Sequence, residues 1–303
     1  MAAGGGLRLL LTGAGGLLGG ELARLLAARH ALTALVGRRP AAPGLDARRG
    51  DLTEPAGLAA LLDELRTEAV VHAAALGDPD ACERDPGRAS LVNSLACGEL
   101  ARLCRARGCR LLLLSTDLVF DGSRPWVRED TPARPLQAYG RSKLEGERLA
   151  LEAWPEAAVV RSALVYGRGH GGRGSASESV AWALAAGRPA RLFEDQFRTP
   201  IDAASLADLV ERLLQRGGRG LFHAGGPERL SRLDLGRRVA RALGLDPALL
   251  VPMRQGDLPG AARPADVSLD SARARAELGW EPRGVDEALR DQRPRPEAIS
   301  GWS

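Results

Sequence analysis

The feature that most constrains this chain is a strand-like run, Leu7 to Leu11, that passes directly into Thr12-Gly13-Ala14-Gly15-Gly16-Leu17-Leu18-Gly19 and then into a helical pattern through Arg29. A short apolar run of this kind is what a strand buried on both faces of a parallel sheet requires. Gly13, Gly16 and Gly19 lack a Cβ, so the turn can be tight, a diphosphate can approach the backbone, and the helix can sit close on the sheet. The backbone N–H groups at the helix start, at Leu17 and Leu18, then face that diphosphate. Glycine spacing alone is a weak sign among 37 glycines. Placed between a buried strand and an amphipathic helix, it predicts a nucleotide site.

The rest of the first half repeats this unit. Strands are expected at 31–36, 69–72, 110–115 and 157–161, with helices over 58–65, 89–106 and 137–154. Alternating strands and helices predict an α/β, doubly wound parallel sheet of Rossmann type. After Gly167 the character changes to a glycine-rich loop, 167–174, containing His170, which reads as mobile. Helices follow at 204–215, 232–243 and 270–278, the second opened by a capping-box pair, Ser231 and Asp234. The expected organisation is a cofactor-binding domain over 1–166, a smaller irregular α/β substrate-binding region over 167–292 that is partly interleaved with it, and a loose tail over 293–303.

Composition narrows the function classes. Thirty-eight acidic residues are interspersed among 42 basic ones for a net charge of +4, with no long basic run, which disfavours nucleic acid. No apolar stretch approaches a membrane span and the N-terminus has no charged leader, so a cytoplasmic protein is expected. Cys82, Cys97, Cys104 and Cys109 form no Cys-x-x-Cys pair and have no histidine cluster beside them, so neither a metal site nor a disulfide framework is expected. Cys97 and Cys104, seven apart on one helix, are expected to pack as small apolar residues.

Of the 42 basic residues a single one is lysine, Lys143, and it lies four residues after Tyr139. Lysine differs from arginine in being a compact ammonium whose pKa responds to its surroundings. At i and i+4 on one helix the two side chains point to the same spot. A free phenol titrates near pH 10, and a neighbouring ammonium is expected to draw that value down toward useful acid–base work. Thr116, just past Leu111–Leu114, falls at the carboxyl end of the sheet, where its hydroxyl can orient a carbonyl. A Thr, a Tyr and a Lys around a nicotinamide make a hydride-transfer site. The second strand ends Val36-Gly37-Arg38-Arg39, with no carboxylate to grip a ribose. Arg38 and Arg39 suit a ribose phosphate instead, favouring NADPH while leaving NADH open. Asp51 and Leu52 open the next loop, beside the adenine.

These residues resemble the extended short-chain dehydrogenase/reductases, and within them the dTDP-4-dehydrorhamnose reductase family. The likeness is carried by Thr12–Gly19, Gly50-Asp51-Leu52, His72-Ala73-Ala74-Ala75, Asn93 and Ser115-Thr116-Asp117-Leu118-Val119-Phe120-Asp121-Gly122. It continues through Tyr139–Glu147, Arg161, Val165-Tyr166-Gly167, Asp195-Gln196-Phe197-Arg198-Thr199-Pro200, Arg263-Pro264 and Ser268-Leu269-Asp270. The resemblance implies that Thr116, Tyr139 and Lys143 are catalytic, with Lys143 also holding the nicotinamide ribose. It implies that Ala73, Ala74 and Ala75 line the cofactor, and that Asp117 and Leu164 face the sugar. Arg198 and Arg263 become diphosphate partners.

The implied substrate is a nucleotide-linked 4-keto-6-deoxysugar, dTDP-6-deoxy-L-lyxo-4-hexulose. Leu118 and Leu164 stand where the family commonly carries Tyr and Trp. Leu118 also occupies a place where sugar-nucleotide dehydratases need an acid–base pair, which disfavours water elimination. Other relatives, such as the regulatory subunit of methionine adenosyltransferase, bind NADP and act through a partner protein. A reductase or epimerase of another sugar nucleotide is a further alternative, and homodimerisation is a family-level expectation.

Overall fold

The computed structural model describes residues 6–37, 39–167, 175–257 and 263–291. The first half runs β1 (Arg8–Thr12), α1 (Leu17–Ala27), β2 (Ala31–Val36), β3 (Asp46–Arg49), α2 (Pro55–Glu64), β4 (Ala69–His72), α3 (Pro79–Arg84), α4 (Pro86–Ser90), a π-helical turn (Leu91–Leu95), α5 (Ala96–Arg107), β5 (Arg110–Thr116), α6 (Ala138–Ala153) and β6 (Ala158–Ser162). The second half runs β7 (Val165–Tyr166), α7 (Ala176–Ala185), β8 (Ala190–Phe193), β9 (Phe197–Arg198), β10 (Ile201–Asp202), α8 (Ala203–Arg216), β11 (Gly220–Ala224), β12 (Leu230–Ser231), α9 (Arg232–Leu243), β13 (Leu250–Met253), α10 (Ala272–Leu278) and α11 (Val285–Arg290).

Seven strands form one parallel sheet in the order β11-β6-β5-β4-β1-β2-β3, a Rossmann arrangement. The apolar strands are explained by the pleat, because successive side chains serve two different cores. Leu9 and Leu11 of β1 join Leu112 and Leu114 of β5 on one face, against α1 and α8. Leu10 joins Leu111 and Leu113 on the other, against α2 and α5. Strand order reverses beside β1, whose neighbours are β2 and β4, so the ligand crevice of such a sheet opens at the carboxyl ends of β1 and β4.

The chain does not leave this sheet for good after β7. β11 returns to pair with β6, and α8 lies on α1, where Glu211 meets His30 at 2.8 Å. Between and after these elements a third core gathers α7, β8, α9 and α11 around Tyr166, Leu184, Val239 and Leu289.

Three differences from the sequence reading have physical causes. The helix expected over 89–106 is broken by the π turn at 91–95. That turn lets Asn93 accept from Leu76 N–H at 2.8 Å and donate to the Leu76 carbonyl at 3.2 Å and to Ser142 Oγ at 3.0 Å. β3 is built from Asp46-Ala47-Arg48-Arg49, an exposed charged edge strand whose composition hides it and which keeps the sheet edge from pairing with another chain. The short helices α3 and α4 are capped by the side chains of Asp78 and Asp85 rather than announced by an apolar period. Arg38, His170 with residues 168–174, and the tail expected over 293–303 lie outside the described residues.

Candidate active site

The glycine turn is shaped by what lies beneath it. Gly13 has φ +77°, and a Cβ there would stand 2.6 Å from the Ala74 nitrogen, so the turn rests directly on the segment after β4. A Cβ on Gly19 would stand 2.0 Å from the Gly13 carbonyl oxygen, which is why α1 can start so close under the turn. Gly16 is the N-cap of α1 and brings no side-chain cap, so the first N–H groups of the helix, at Leu17 and Leu18, face the crevice uncapped by any side chain.

Thr12 ties this corner together. Its hydroxyl accepts from Ala74 N–H at 3.2 Å and hydrogen-bonds His72 Nδ1 at 2.8 Å, which fixes the Ala73–Ala75 backbone beside the turn. The carboxylate of Asp51 accepts from the backbone and hydroxyl of Thr53, and these bonds hold it below the usual carboxylate range. Arg39 lies on the outer side of the turn, next to Gly15, and Leu52 packs on the second core. A cradle that any Cβ would fill, closed by a helix start without a side-chain cap, fits a dinucleotide diphosphate. When bound, a reduced nicotinamide supplies the hydride.

The catalytic candidates meet at the end of β5. Thr116 is its last residue, and its hydroxyl, which donates to Asp117 Oδ1 at 3.2 Å, lies near the Tyr139 phenol. Lys143 is buried and donates from Nζ to the Leu114 carbonyl at 2.7 Å. Leu114 and Thr116 are two strand residues apart, about 6.6 Å, and Tyr139 and Lys143 are four helical residues apart, about 6 Å. The matched spacings let α6 deliver both side chains to β5. Close packing makes this work: a Cβ on Gly140 would stand 2.2 Å from the Leu118 carbonyl, and one on Gly146 would stand 2.1 Å from the Asn93 carbonyl. One turn beyond Lys143, Glu147 accepts from Ser115 Oγ and from Arg161 at 2.6 Å, pinning α6 to β5 and β6 from below.

One electrostatic expectation is reversed. The Tyr139 phenol is pushed up, not down: burial acts most, then the Asp117 carboxylate, with Thr116 opposing. Lys143 spends its ammonium on the Leu114 carbonyl, and burial lowers its own pKa against the charges of Cys97 and Glu147. In the chain itself the phenol is therefore held as an acid.

Next to this pair, Asp117 is buried beside Thr116 and pairs with Arg198 at 2.9 Å. Leu118 sits in the short 3-10 turn Asp117–Val119, its N–H donating to Thr116 Oγ1 at 3.2 Å. Leu164 packs on the third core, and its carbonyl accepts from Ile201 N–H at 3.0 Å. Arg263 stands over the Phe193 ring, 5.9 Å from its centre.

The RmlD substrate binding domain family matches residues 7–293. The chain belongs to this family. It is 37% identical over 281 residues to the probable low-salt glycan biosynthesis reductase Agl14 of Haloferax volcanii, covering 89% of this chain and 91% of the relative. It is 36% identical over 283 residues to the dTDP-4-dehydrorhamnose reductase of Mycobacterium tuberculosis, covering 91% and 88%. Methionine adenosyltransferase 2 subunit beta of Bos taurus is also similar, at 31% over 272 residues, covering 88% and 81%.

Among solved structures, a hypothetical dTDP-4-dehydrorhamnose reductase from Sulfolobus tokodaii superposes with a TM-score of 0.82 at 30% identity, covering 92% of this chain and 98% of the other. The Bordetella bronchiseptica enzyme WbmG in complex with NAD and UDP superposes with a TM-score of 0.82 at 25% identity, covering 98% and 95%.

Within this RmlD family member, some contacts of the site were invisible to sequence reasoning. The Thr12–His72 bond joins residues 60 apart and leaves no local pattern. Among the described residues no group of three or more His, Cys, Asp or Glu can hold a metal ion, and none of their helices is long and apolar enough to cross a membrane.

Proposed function

We propose that the protein is an NADPH-dependent reductase of a 4-keto group on a nucleotide-activated sugar, with dTDP-6-deoxy-L-lyxo-4-hexulose as the candidate substrate. The observation that carries this reading is the Thr116 hydroxyl set near the Tyr139 phenol at the carboxyl end of β5, with Lys143 anchored one pleat away. Tyr139 holds the proton that the carbonyl oxygen needs as negative charge develops on it, and Thr116 orients that oxygen by hydrogen bonding. Lys143, fixed at Leu114, is placed to hold the nicotinamide ribose. Gly13, Gly16, Gly19 and Ala73 to Ala75 hold the rest of the cofactor, and Arg39 favours a ribose phosphate. Asp117, Leu164, Arg198 and Arg263 belong to the substrate side, so the third core and its strands act as the substrate-binding region. Leu118 offers no acid or base for water elimination. Four buried free thiols fit a reducing, cytoplasmic setting.

A second reading, an NADP-binding regulatory subunit, draws on the likeness to methionine adenosyltransferase 2 subunit beta. The intact Thr116, Tyr139 and Lys143 set favours turnover. The test is oxidation of NADPH and NADH with a panel of nucleotide-linked ketosugars and simple ketones. Turnover restricted to nucleotide-linked 4-ketosugars supports the reductase. Tight NADPH binding with no turnover across the panel, together with a co-purifying protein, supports the second reading.

A further inference from the structure

Lys143 is held to β5 twice, once by its own ammonium and once through the residue one helical turn further on. Lys143 and Glu147 stand at i and i+4 of α6, so they share a face, and both are buried. Lys143 Nζ donates to the Leu114 carbonyl at 2.7 Å, and the next residue of β5, Ser115, donates from Oγ to Glu147 Oε1. Arg161 of β6 lies in register opposite Ser115 and reaches the same carboxylate. Its Nε donates to both carboxylate oxygens at 3.1 Å, and its Nη2 donates to Oε2 at 2.6 Å. The guanidinium is fixed in turn by the Phe120 ring, whose centre is 5.2 Å from Cζ. The side chains of the ion pair are only 5% and 3% exposed. Removing two charges from water so completely brings little net stability, and an apolar pair of similar volume often does as well. What an apolar pair lacks is direction, because a guanidinium fork on a carboxylate holds the helix against both sliding and turning.

We infer that the buried Arg161–Glu147 pair, tied to Ser115, is the positioning device of Lys143 and fixes where its ammonium sits along β5. This rests on the reductase reading above, in which Lys143 holds the nicotinamide ribose. One turn of helix is stiff, so a shift of Glu147 along the strand carries Lys143 with it. Arg161 and Glu147 act through Lys143 and are positioning residues. A pair of methionines in their place keeps the volume and loses the direction.

Lys143 is the single lysine of the chain, so protein grown on lysine labelled with 13C at Cε gives one lysine resonance, which reports Lys143 directly. That resonance, the melting temperature, and kcat and KM for a nucleotide-linked 4-ketosugar are measured on the wild type, Arg161→Met, the double variant Arg161→Met with Glu147→Met, and Ser115→Ala. Arg161→Met alone strands a buried carboxylate and should lower the melting temperature. The double variant removes both charges and should regain most of that loss. Its Lys143 resonance should nonetheless be displaced, and kcat should stay about ten- to a hundredfold below wild type, with KM within a few-fold. Ser115→Ala cuts the tie to β5 while leaving the ion pair whole, and its Lys143 resonance should also be displaced. A pair that only stabilises predicts instead that kcat and the resonance return together with the melting temperature. A folded double variant with both at wild-type values, or an unmoved resonance in Ser115→Ala, overturns the proposal. A wild type that binds NADPH but turns over no nucleotide-linked ketosugar overturns the reductase reading, and the Lys143 resonance still decides the positioning.

Discussion

A phenol that is to protonate a nascent alkoxide must still hold its proton at neutral pH, and the surroundings of Tyr139 work to that end. Burial and the Asp117 carboxylate both disfavour the phenolate. Asp117→Asn removes that carboxylate charge, so the phenol pKa moves down toward its ordinary value. The alkaline limb of reductive kcat/KM, which reports the free enzyme, should then shift to lower pH than in the wild type. A pH profile of both proteins checks this, and an unmoved limb contradicts it. At this scale the sequence was most readable where rarity and spacing coincide, as at Lys143 and Tyr139. It misled on the direction of the Tyr139 shift, because i,i+4 spacing says that two side chains are neighbours but not that Lys143 turns to the Leu114 carbonyl. Arg198 was visible as a segment likeness, whereas its ion pair with Asp117 joins distant segments and had no local signal.

Among elements, α6 is the one on which the site depends, and its packing on the π turn sets where Lys143 lands. A Cβ at Gly146 collides with the Asn93 carbonyl, so Gly146→Ala must push α6 off its seat. Overpacking of this kind costs about 1–3 kcal/mol. Gly146→Ala should lower both the melting temperature and kcat, while Arg141→Ala, on the exposed face of the same helix, should leave both near wild type. Calorimetry with steady-state kinetics checks the pair. Helices with a strong apolar stripe, α8 and α9, were legible to within a residue or two, as were strands feeding both cores. The π turn was not, since it preserves the helical apolar pattern while changing which carbonyl each N–H meets. β3 was missed because charge, not alternation, defines an edge.

Among the described residues, two buried histidines sit in the main sheet, His72 on β4 and His223 on β11. Burial pushes both down to about 3, with Lys143 acting on His72 and Arg161 on His223 in the same direction. Between pH 6.5 and 3 the unfolded chain binds protons that the folded chain refuses, so stability falls as pH falls through that window. Each histidine contributes a slope of about 1.4 kcal/mol per pH unit. Denaturant unfolding between pH 5 and 6.5 should show this loss, and His72→Asn should reduce the slope by the share of one histidine; a slope unchanged in the variant contradicts the assignment. At this scale the parallel sheet was plain from alternation alone. The return of β11 to the sheet was not, because the intervening α7 to α8 segment builds on a different core before the chain comes back.

On the reading proposed above, Tyr139 is the proton donor of a cofactor-dependent ketosugar reduction. The measurement that tests it most directly is NADPH oxidation with dTDP-6-deoxy-L-lyxo-4-hexulose by Tyr139→Phe beside the wild type, with NADPH affinity measured on both. In Tyr139→Phe kcat should fall by about a hundredfold or more while NADPH affinity stays within a few-fold. A Tyr139→Phe enzyme that turns over at the wild-type rate would contradict it.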